Sequence, residues 1–243
     1  MEFSSKNVVV TGATKGIGKA ITLNFLKLGA NVTAIYSRDD QAAKELESMA
    51  LNLEGTLCLK KFDVSDLEAV KTFYQNMDES GPDILINNVG MRRDQIVAIL
   101  DEEDFEKVMN VNFNSAFYMS KYAIAYFMKK RFGRIINMSS VGSRYCFSGQ
   151  ASYASSKGAL NSFTKTLAKE VAKKGITVNS VSPGFIDTEL ISDLPAEQIK
   201  EYKKQVPMKR FGKPEEVADL VAFLCSDKAS YITGTDVEIA GGL

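Results

Sequence analysis

A tyrosine and a lysine stand four residues apart in the segment SYASSK, at Tyr153 and Lys157. Residues at this spacing lie one turn apart on the same face of a helix, which would make the phenol and the ammonium neighbours. The ordinary pKa of a phenol is about 10, and a nearby ammonium favours the tyrosinate and lowers that pKa. The chain has no histidine, the usual acid–base residue near neutral pH, so Tyr153 is predicted to exchange a proton with a substrate oxygen instead.

A serine hydroxyl is expected beside this pair. Ser140 closes the strand-like segment GRIINMSS, shortly before the helix of Tyr153. Its hydroxyl is predicted to hydrogen-bond the same substrate oxygen, and the preceding Ser139 is the alternative.

Without histidine, serine–histidine and cysteine–histidine nucleophiles are excluded. No Cys-x-x-Cys pair is present either, so no metal site is predicted.

The composition indicates a globular protein without a general affinity for anionic surfaces. Hydrophobic residues make up 45% of the 243 residues, and the formal net charge is zero. Such a chain has no global basic field, so neither nucleic acid nor a membrane is expected as a partner. The three cysteines are scattered and odd in number, which favours a reduced, cytoplasmic setting. Neither a signal peptide nor a membrane-spanning segment is predicted.

Strand-like and helix-like segments alternate along the whole chain. Seven strands are predicted, near residues 7–12, 31–36, 55–64, 82–90, 133–140, 175–184 and 233–242. The helices are predicted near residues 16–28, 41–53, 66–77, 103–131, 152–174 and 214–226. This order predicts an α/β protein, a single-domain Rossmann fold over residues 1–243. Its doubly wound, seven-stranded parallel sheet is expected to carry helices on both faces.

The least regular stretch covers about residues 186–213. It contains short amphipathic pieces, two prolines and a cluster of charges. We expect it to form a flexible lid over a substrate cleft, and an ordinary surface excursion is the alternative.

The first strand is followed by a glycine-rich segment, TGATKGIG. Glycines at this strand–helix junction allow a tight turn and let a pyrophosphate approach the backbone at a helix N-terminus. A close-packed turn without a ligand is the alternative. The nucleotide-binding residues predicted in this segment are Gly12, Thr14, Lys15, Gly16, Ile17 and Gly18.

The end of the second strand favours NADP(H) over NAD(H). An NAD site usually has an acidic side chain there, and this chain has Tyr36 followed by Ser37 and Arg38. Together with Lys15 from the glycine loop, these side chains suit a 2′-phosphate on the adenosine ribose. Asp39 follows closely and is expected to open the next helix, where acids are favoured. Solvated surface charge is the alternative interpretation.

Two more strand ends are expected to contact the nucleotide. Asp63 and Val64 end the third strand, where an aspartate can contact the adenine edge. Asn88, Val89 and Gly90 end the fourth strand at the edge where ligands bind in parallel sheets.

Several motifs in the expected order resemble the short-chain dehydrogenase/reductase family: TGATKGIG, NNVG, NVNFNSAF, Ser140 with YASSK, and PGFIDT. The resemblance covers essentially the whole chain. Within the family, the segments GQASYASSKGAL, ITVNSVSPGFIDT and SYITGTDVEIAGG are most similar to 3-oxoacyl-(acyl-carrier-protein) reductases. This resemblance implies NADPH-dependent reduction of a 3-oxoacyl thioester to the 3-hydroxyacyl thioester, in fatty-acid or polyketide-type biosynthesis.

The resemblance also implies residue roles. Tyr153 would donate the proton, and Lys157 would bind the nicotinamide ribose and depress the pKa of Tyr153. Ser140, rather than Ser139, matches the family's distance to the tyrosine and would orient the carbonyl.

By the same family spacing, Asn112 rather than Asn110 would anchor a water that links Lys157 to solvent. Contacts with the nicotinamide carboxamide are implied for the segment of Pro183, Gly184, Ile186 and Thr188.

The resemblance implies a homotetramer and an acyl carrier protein as partner. Since carrier proteins are acidic, docking is predicted at basic helix ends that include Arg131 and Lys174. The alternative is that these cations only complement helix dipoles.

The loop SRYCFSG is more aromatic than is usual in these reductases. Its Tyr145 and Phe147 are expected either to line the acyl pocket or to pack in a dimer interface.

Two other functions stay open. The same hydride chemistry would serve acetoacetyl-CoA, a sugar or another small carbonyl or alcohol substrate. A nucleotide-sensing protein without catalysis is an alternative of another class, and it is disfavoured because both Tyr153 and Lys157 are present.

Overall fold

The structure, a computed structural model, describes residues 2–189 and 196–243. Its centre is a seven-stranded sheet in the order β3-β2-β1-β4-β5-β6-β7, and every pair of neighbours is parallel. The strands are β1 (Asn7–Thr11), β2 (Asn31–Tyr36), β3 (Thr56–Lys61), β4 (Ile84–Asn87), β5 (Gly133–Met138), β6 (Ile176–Pro183) and β7 (Asp236–Ile239). The predicted α/β fold class is confirmed.

Helices cover both faces of this sheet. In the described residues they are α1 (Gly16–Lys27), α2 (Asp40–Ala50), α3 (Leu67–Gln75), α4 (Glu102–Met109), α5 (Ser115–Lys130), α6 (Gly142–Tyr145), α7 (Ala151–Val171), α8 (Ala196–Gln205) and α9 (Pro214–Cys225). Val8 and Val10 of β1 join a buried cluster with α1 and α9, whereas Val9 joins one with α3, α5 and α7. Successive side chains of β1 therefore point to opposite faces of the sheet and pack into two separate cores.

The long helix predicted over residues 103–131 is interrupted. A π-helical segment, Asn110–Asn114, separates α4 from α5. Such a segment widens one helical turn and is often found at functional sites. It turns Asn112 into the interior, where the residue is only 1% exposed. Hydrophobic periodicity cannot reveal one widened turn, because the apolar residues on either side keep their helical pattern.

The strand order reverses direction between β1 and β4, and this point forms the ligand-binding crevice of such sheets. Thr11 joins the two strand ends. Its hydroxyl accepts the N–H groups of Asn88 (2.9 Å) and Val89 (3.2 Å) and donates to the carbonyl of Ile86 (3.3 Å). The Asn88 amide donates in turn to the carbonyls of Thr11 and Gly12, both at 3.0 Å.

The predicted lid over 186–213 is described only in part, because its residues 190–195 lie outside the described residues. Its two ends meet at a parallel bridge between Ile186 and Gly212, and α8 lies between them. Whether this segment moves as a lid stays a prediction. Among residues 2–189 and 196–243, no helix has the length and apolar character needed to cross a bilayer.

We predict that Thr11→Val lowers the free energy of unfolding by about 1–3 kcal/mol, because two backbone N–H groups at the crevice lose their acceptor. Thr11→Ser keeps the hydroxyl and is the matched control. Urea unfolding followed by circular dichroism measures both variants. If Thr11→Val is as stable as Thr11→Ser, the hydroxyl does not join the strand ends.

Candidate active site

The predicted site residues follow six neighbouring strands at one edge of the sheet. Each group begins where its strand ends, which is the carboxyl edge of a parallel sheet. From β3 across to β6 they are Asp63 and Val64; Ser37 and Arg38; the glycine loop 12–18; Asn88, Val89 and Gly90; Ser140; and Pro183, Gly184, Ile186 and Thr188. Tyr153 and Lys157 lie in the first two turns of α7.

Lys157 is buried beneath Tyr153. The lysine is 3% exposed, and its Nζ donates to the carbonyl of Met138 at 2.7 Å, where β5 ends. Its Nζ lies 5.7 Å from the centroid of the Tyr153 ring. The Ser140 hydroxyl also lies beside the Tyr153 phenol, and its Oγ accepts the N–H of Gly142 at 3.1 Å. The phenol, the ammonium and the serine hydroxyl are thus brought together.

The ionisation of this pair differs from the expectation. Burial raises the pKa of Tyr153 above its ordinary value, and the Ser140 hydrogen bond and the Arg92 guanidinium only partly oppose it. The net pKa lowering expected from Lys157 does not occur. Burial also lowers the pKa of Lys157 itself, to about 8. The phenol therefore keeps its proton at neutral pH, the form that a proton donor needs.

Ser139 and Ser140 have different partners. The Ser139 hydroxyl is buried and donates to the backbone carbonyl of Lys157 at 3.2 Å. Ser140 is half-buried and faces Tyr153. Ser139 therefore ties α7 to the end of β5, whereas the Ser140 hydroxyl faces the Tyr153 phenol.

Asn112 and Asn110 also point to different places. The Asn112 carboxamide donates to the Ser156 hydroxyl (2.9 Å) and exchanges two hydrogen bonds with the backbone of Met91. A Cβ on Gly90 would stand 3.8 Å from Asn112 Oδ1 and 3.3 Å from Lys157 Nζ. Asn110 instead donates to the carbonyl of Ser65 at 3.4 Å, near the start of α3. Asn112, not Asn110, thus lies beside the lysine.

The glycine loop has the features of a phosphate cradle. Gly12 and Gly16 have φ angles of +61° and +49°, and a Cβ on Gly18 would stand 2.1 Å from the Gly12 carbonyl oxygen. Helix α1 begins after Lys15 without a side-chain cap and without an acidic residue in its first turn. Its first N–H groups are therefore left for an anion. The residues present fit a dinucleotide pyrophosphate.

The far side of the loop meets the segment after β6. The Thr188 side chain lies 3.4 Å from where a Cβ on Gly16 would stand. Ile186 is buried and is held by its bridge to Gly212. These contacts close the space between the glycine loop and the predicted carboxamide-binding segment.

The cations predicted to bind a 2′-phosphate are not equivalent. Lys15 forms an ion pair with Asp39 at 2.6 Å and lies 3.9 Å from Glu189. The hydrogen bond that Lys15 donates to the Asp39 carboxylate raises the pKa of Lys15. Asp39 caps α2 as expected, since its carboxylate accepts the N–H of Ala42 at 2.9 Å. A 2′-phosphate would have to share Lys15 with this carboxylate, whereas Arg38 is exposed.

Two residues predicted to bind the nucleotide, Asp63 and Val64, make other contacts in the structure. One carboxylate oxygen of Asp63 already accepts the N–H (2.9 Å) and the hydroxyl (2.7 Å) of Ser65. The side chain of Val64 is 4% exposed and belongs to the core that includes α3 and α5. Only the second oxygen of Asp63 and the backbone of this turn are left for an adenine.

Comparisons with known proteins agree with this site. The family model described as enoyl-(acyl carrier protein) reductase matches residues 12–243. The chain belongs to the short-chain dehydrogenase/reductase family. It is 39% identical over 248 residues to 3-oxoacyl-(acyl-carrier-protein) reductase FabG of Thermotoga maritima, and 40% identical over 243 residues to that of Buchnera aphidicola subsp. Schizaphis graminum. Each alignment covers 100% of this chain and 99% of the relative.

The predicted docking residues of this short-chain dehydrogenase/reductase lie at the opposite, amino edge of the sheet. Arg131 ends α5 just before β5, and Lys174 precedes β6. The two ends converge as expected, since a Cβ on Gly175 would stand 2.6 Å from the Arg131 carbonyl oxygen. Of the neighbouring cations, Arg134 is 4% exposed, and Lys130 is paired with Asp83 at 2.7 Å.

Sequence reasoning missed the side chains that hold α7 against the sheet. Asn87 donates to Asn137 (2.8 Å), Asn137 donates to Thr164 (2.8 Å), and the Thr164 hydroxyl bonds to that of Ser180 (2.8 Å). All of these side chains are buried. The signal was present in the sequence: asparagines inside otherwise apolar strands are unfavourable unless they are hydrogen-bonded.

Gln150 was missed as well. Its Oε1, the Ser140 Oγ and the Tyr153 ring all lie within 3.5 Å of where a Cβ on Gly142 would stand. Its Nε2 donates to Asp94 at 3.2 Å.

No group of three metal-ligating side chains occurs in the ranges 2–189 and 196–243.

We predict a pH-dependent stability difference between the wild type and Lys157→Met. The pKa of Lys157 is about 8 in the folded chain against an ordinary 10.5, so between these pH values the unfolded chain binds more protons. The wild type should therefore gain on the order of 3 kcal/mol relative to the variant as the pH rises through that window. Urea unfolding at several pH values measures the difference. A difference that does not change with pH would contradict a buried ammonium.

Proposed function

We propose that this enzyme reduces a 3-oxoacyl thioester carried by an acyl carrier protein to the 3-hydroxyacyl thioester, with NADPH as reductant. The observation that carries the proposal is the buried Lys157 next to the Tyr153 ring, at the sheet edge that also holds the glycine loop. Full-length relatives named as 3-oxoacyl-(acyl-carrier-protein) reductases support the substrate class. They decide between that activity and the enoyl reduction named in the family description.

NADP(H) fits the residues at the carboxyl edge. When bound, it supplies the hydride that reduces the carbonyl carbon. The uncapped start of α1 and the glycine loop would hold its pyrophosphate, and Lys15, Ser37 and Arg38 would hold the 2′-phosphate.

The chain's own residues handle the proton. The Tyr153 hydroxyl donates its proton to the carbonyl oxygen, and Ser140 orients that oxygen by a second hydrogen bond. The Lys157 ammonium, fixed by the Met138 carbonyl, stabilises the negative charge that develops on the phenol. Asn112 acts as a positioning residue, because its amide holds the Met91 backbone and the Ser156 hydroxyl next to the lysine.

Acetoacetyl-CoA or another small carbonyl substrate is the alternative within the same chemistry. A nucleotide sensor without catalysis is disfavoured, because such a protein has no need for a buried ammonium below a phenol. Tyr145 donates to the Leu243 carbonyl at 2.7 Å and stays half-exposed, so its side chain is compatible with both a pocket and an interface.

The proposal includes a cytoplasmic homotetramer. Three free cysteines fit a reducing compartment. Phe105 in α4 and Phe117 and Met128 in α5 are at least 39% exposed, and β7 forms one edge of the sheet. Exposed apolar side chains and an open sheet edge both suit contacts between copies.

Carrier docking at Arg131 and Lys174 depends on that assembly. Strand β5 alone separates Arg131 from Ser140, and its six residues span about 20 Å. A carrier bound at the amino edge of one subunit therefore faces away from that subunit's Tyr153. Docking there would deliver the substrate to a neighbouring subunit.

We predict that Tyr153→Phe abolishes reduction of a 3-oxoacyl thioester while NADPH still binds, because only the proton donor is lost. Ser140→Ala should lower kcat by about 10²-fold or more, since one hydrogen bond to the developing oxyanion is lost. NADPH oxidation followed by absorbance and NADPH binding followed by fluorescence measure both effects. Near-normal kcat in Tyr153→Phe would refute the mechanism.

We predict that the native enzyme prefers NADPH to NADH by at least about tenfold in kcat/KM, which requires only about 1.4 kcal/mol. Alanine at Lys15 and Arg38 should erode this ratio. Asp39→Asn should raise it, because the amide keeps the helix cap but no longer competes for Lys15. Steady-state kinetics with both cofactors measures the ratios. Equal use of both cofactors by the native enzyme would refute the 2′-phosphate site.

A further inference from the structure

A basic concavity lies in the part of the lid segment that the structure describes. It has a volume of about 440 Å³ and is lined by Ile199, Lys200, Lys203, Lys204 and Lys209, which we call the lysine pocket. Three of the lysines come from α8, and Lys209 comes from the turn that follows it. The lysine pocket is open to solvent, and all four lysines are exposed.

The charge of the lysine pocket is poorly balanced by the protein itself. Within residues 2–189 and 196–243, the only ion pair of these four lysines joins Lys204 to Glu201, at 3.7 Å. The Lys209 ammonium donates to the Lys204 carbonyl at 2.9 Å and so caps the end of α8. The helix dipole explains cations in the last turn, such as Lys203 and Lys204, but not Lys200, one turn earlier in the same wall. Four cations around one concavity therefore suit an anion from outside.

The lysine pocket is on the same edge of the sheet as Tyr153. Its segment is anchored after β6 by the bridge from Ile186 to Gly212, and after β7 by the Met208 N–H on the Gly241 carbonyl (3.1 Å). It is thus on the catalytic side, whereas Arg131 and Lys174 are at the amino edge.

A row of aromatic rings connects the lysine pocket with the loop before the catalytic helix. The Lys203 Nζ lies 5.2 Å from the Phe211 ring, which packs on Phe185 at 5.9 Å. Phe185 in turn stacks on Tyr202 at 4.8 Å and approaches Phe147 at 6.4 Å. Phe147 lies in the loop between Ser140 and Tyr153. Phe211 itself is buried, so these packed rings fix the position of the lysine-bearing segment relative to the catalytic loop.

We infer that the lysine pocket binds the phosphate of the pantetheine arm that carries the acyl thioester. This inference rests on the proposed function, and it names a contact for the arm rather than for the carrier protein's surface. An acyl thioester at Tyr153 ends in a flexible arm with a phosphate at its far end, and ammonium groups in a concavity bind phosphate well.

The first experiment measures binding without catalysis. With the nucleotide site saturated by NADP⁺, calorimetry compares 4′-phosphopantetheine with pantetheine, which lacks only the phosphate. We expect the phosphorylated compound to bind at least about tenfold more tightly to the wild type, and Lys200→Glu/Lys204→Glu to remove that difference. Arg131→Glu/Lys174→Glu, with the same change in net charge, should keep it. Equal binding of both compounds by the wild type, or no measurable binding of either, overturns the inference.

The second experiment compares KM for carrier-protein, CoA and N-acetylcysteamine thioesters of one 3-oxoacyl group. Lys200→Glu/Lys204→Glu should raise KM about tenfold for the two phosphate-bearing substrates and leave the third unchanged. Arg131→Glu/Lys174→Glu should affect the carrier-protein substrate alone. An increase confined to the carrier-protein substrate in the lysine-pocket variant would mean that the lysines bind an acidic protein surface, which overturns the inference. If the wild type reduces none of these thioesters, the proposed function fails, and calorimetry alone decides on the pocket.

Discussion

The buried ammonium of Lys157 is the constraint on which the arrangement of this site depends. An ammonium that is 3% exposed has lost most of its hydration, and one carbonyl, that of Met138, is its hydrogen-bond partner in the described chain. The end of β5 and the first turns of α7 must therefore keep a fixed distance. The Ser139 hydroxyl on the Lys157 backbone and the buried asparagine–threonine chain below α7 hold that distance. Stability lost by burying the charge is the cost of placing it below the phenol.

The same burial determines how Tyr153 works. A less buried phenol beside an exposed ammonium would ionise more easily, which suits proton abstraction. Here burial favours the neutral phenol and the neutral amine alike, as the directions of both pKa shifts indicate. In the proposed mechanism, Tyr153 thus holds its proton until a carbonyl oxygen gains negative charge. This state suits reduction, the direction that the proposed function requires.

The two edges of the sheet divide the charges of a chain whose net charge is zero. Arg131 and Lys174 stand at the amino edge, and the lysine pocket stands at the carboxyl edge beside the lid segment. The phosphate of the arm is bonded to the carrier protein, so both present negative charge at the same end of the arm, away from the thioester. Because docking at Arg131 and Lys174 would deliver the arm to a neighbouring subunit, the two basic sites that meet this end would belong to different subunits.

The sequence by itself determined the fold class and the pairing of Tyr153 with Lys157. It also determined that the ligand-binding residues follow the carboxyl ends of the strands. Each of these depends on local periodicity or on spacing within one element, which a chain displays without folding. Only the tertiary structure decided the depth of Lys157, the direction of the Tyr153 pKa shift, the π-helical turn that buries Asn112, and the capture of Lys15 by Asp39. It also decided which basic cluster shares an edge with Tyr153. These features depend on contacts between residues far apart in the chain, since burial and ion pairing arise only when separate elements pack together.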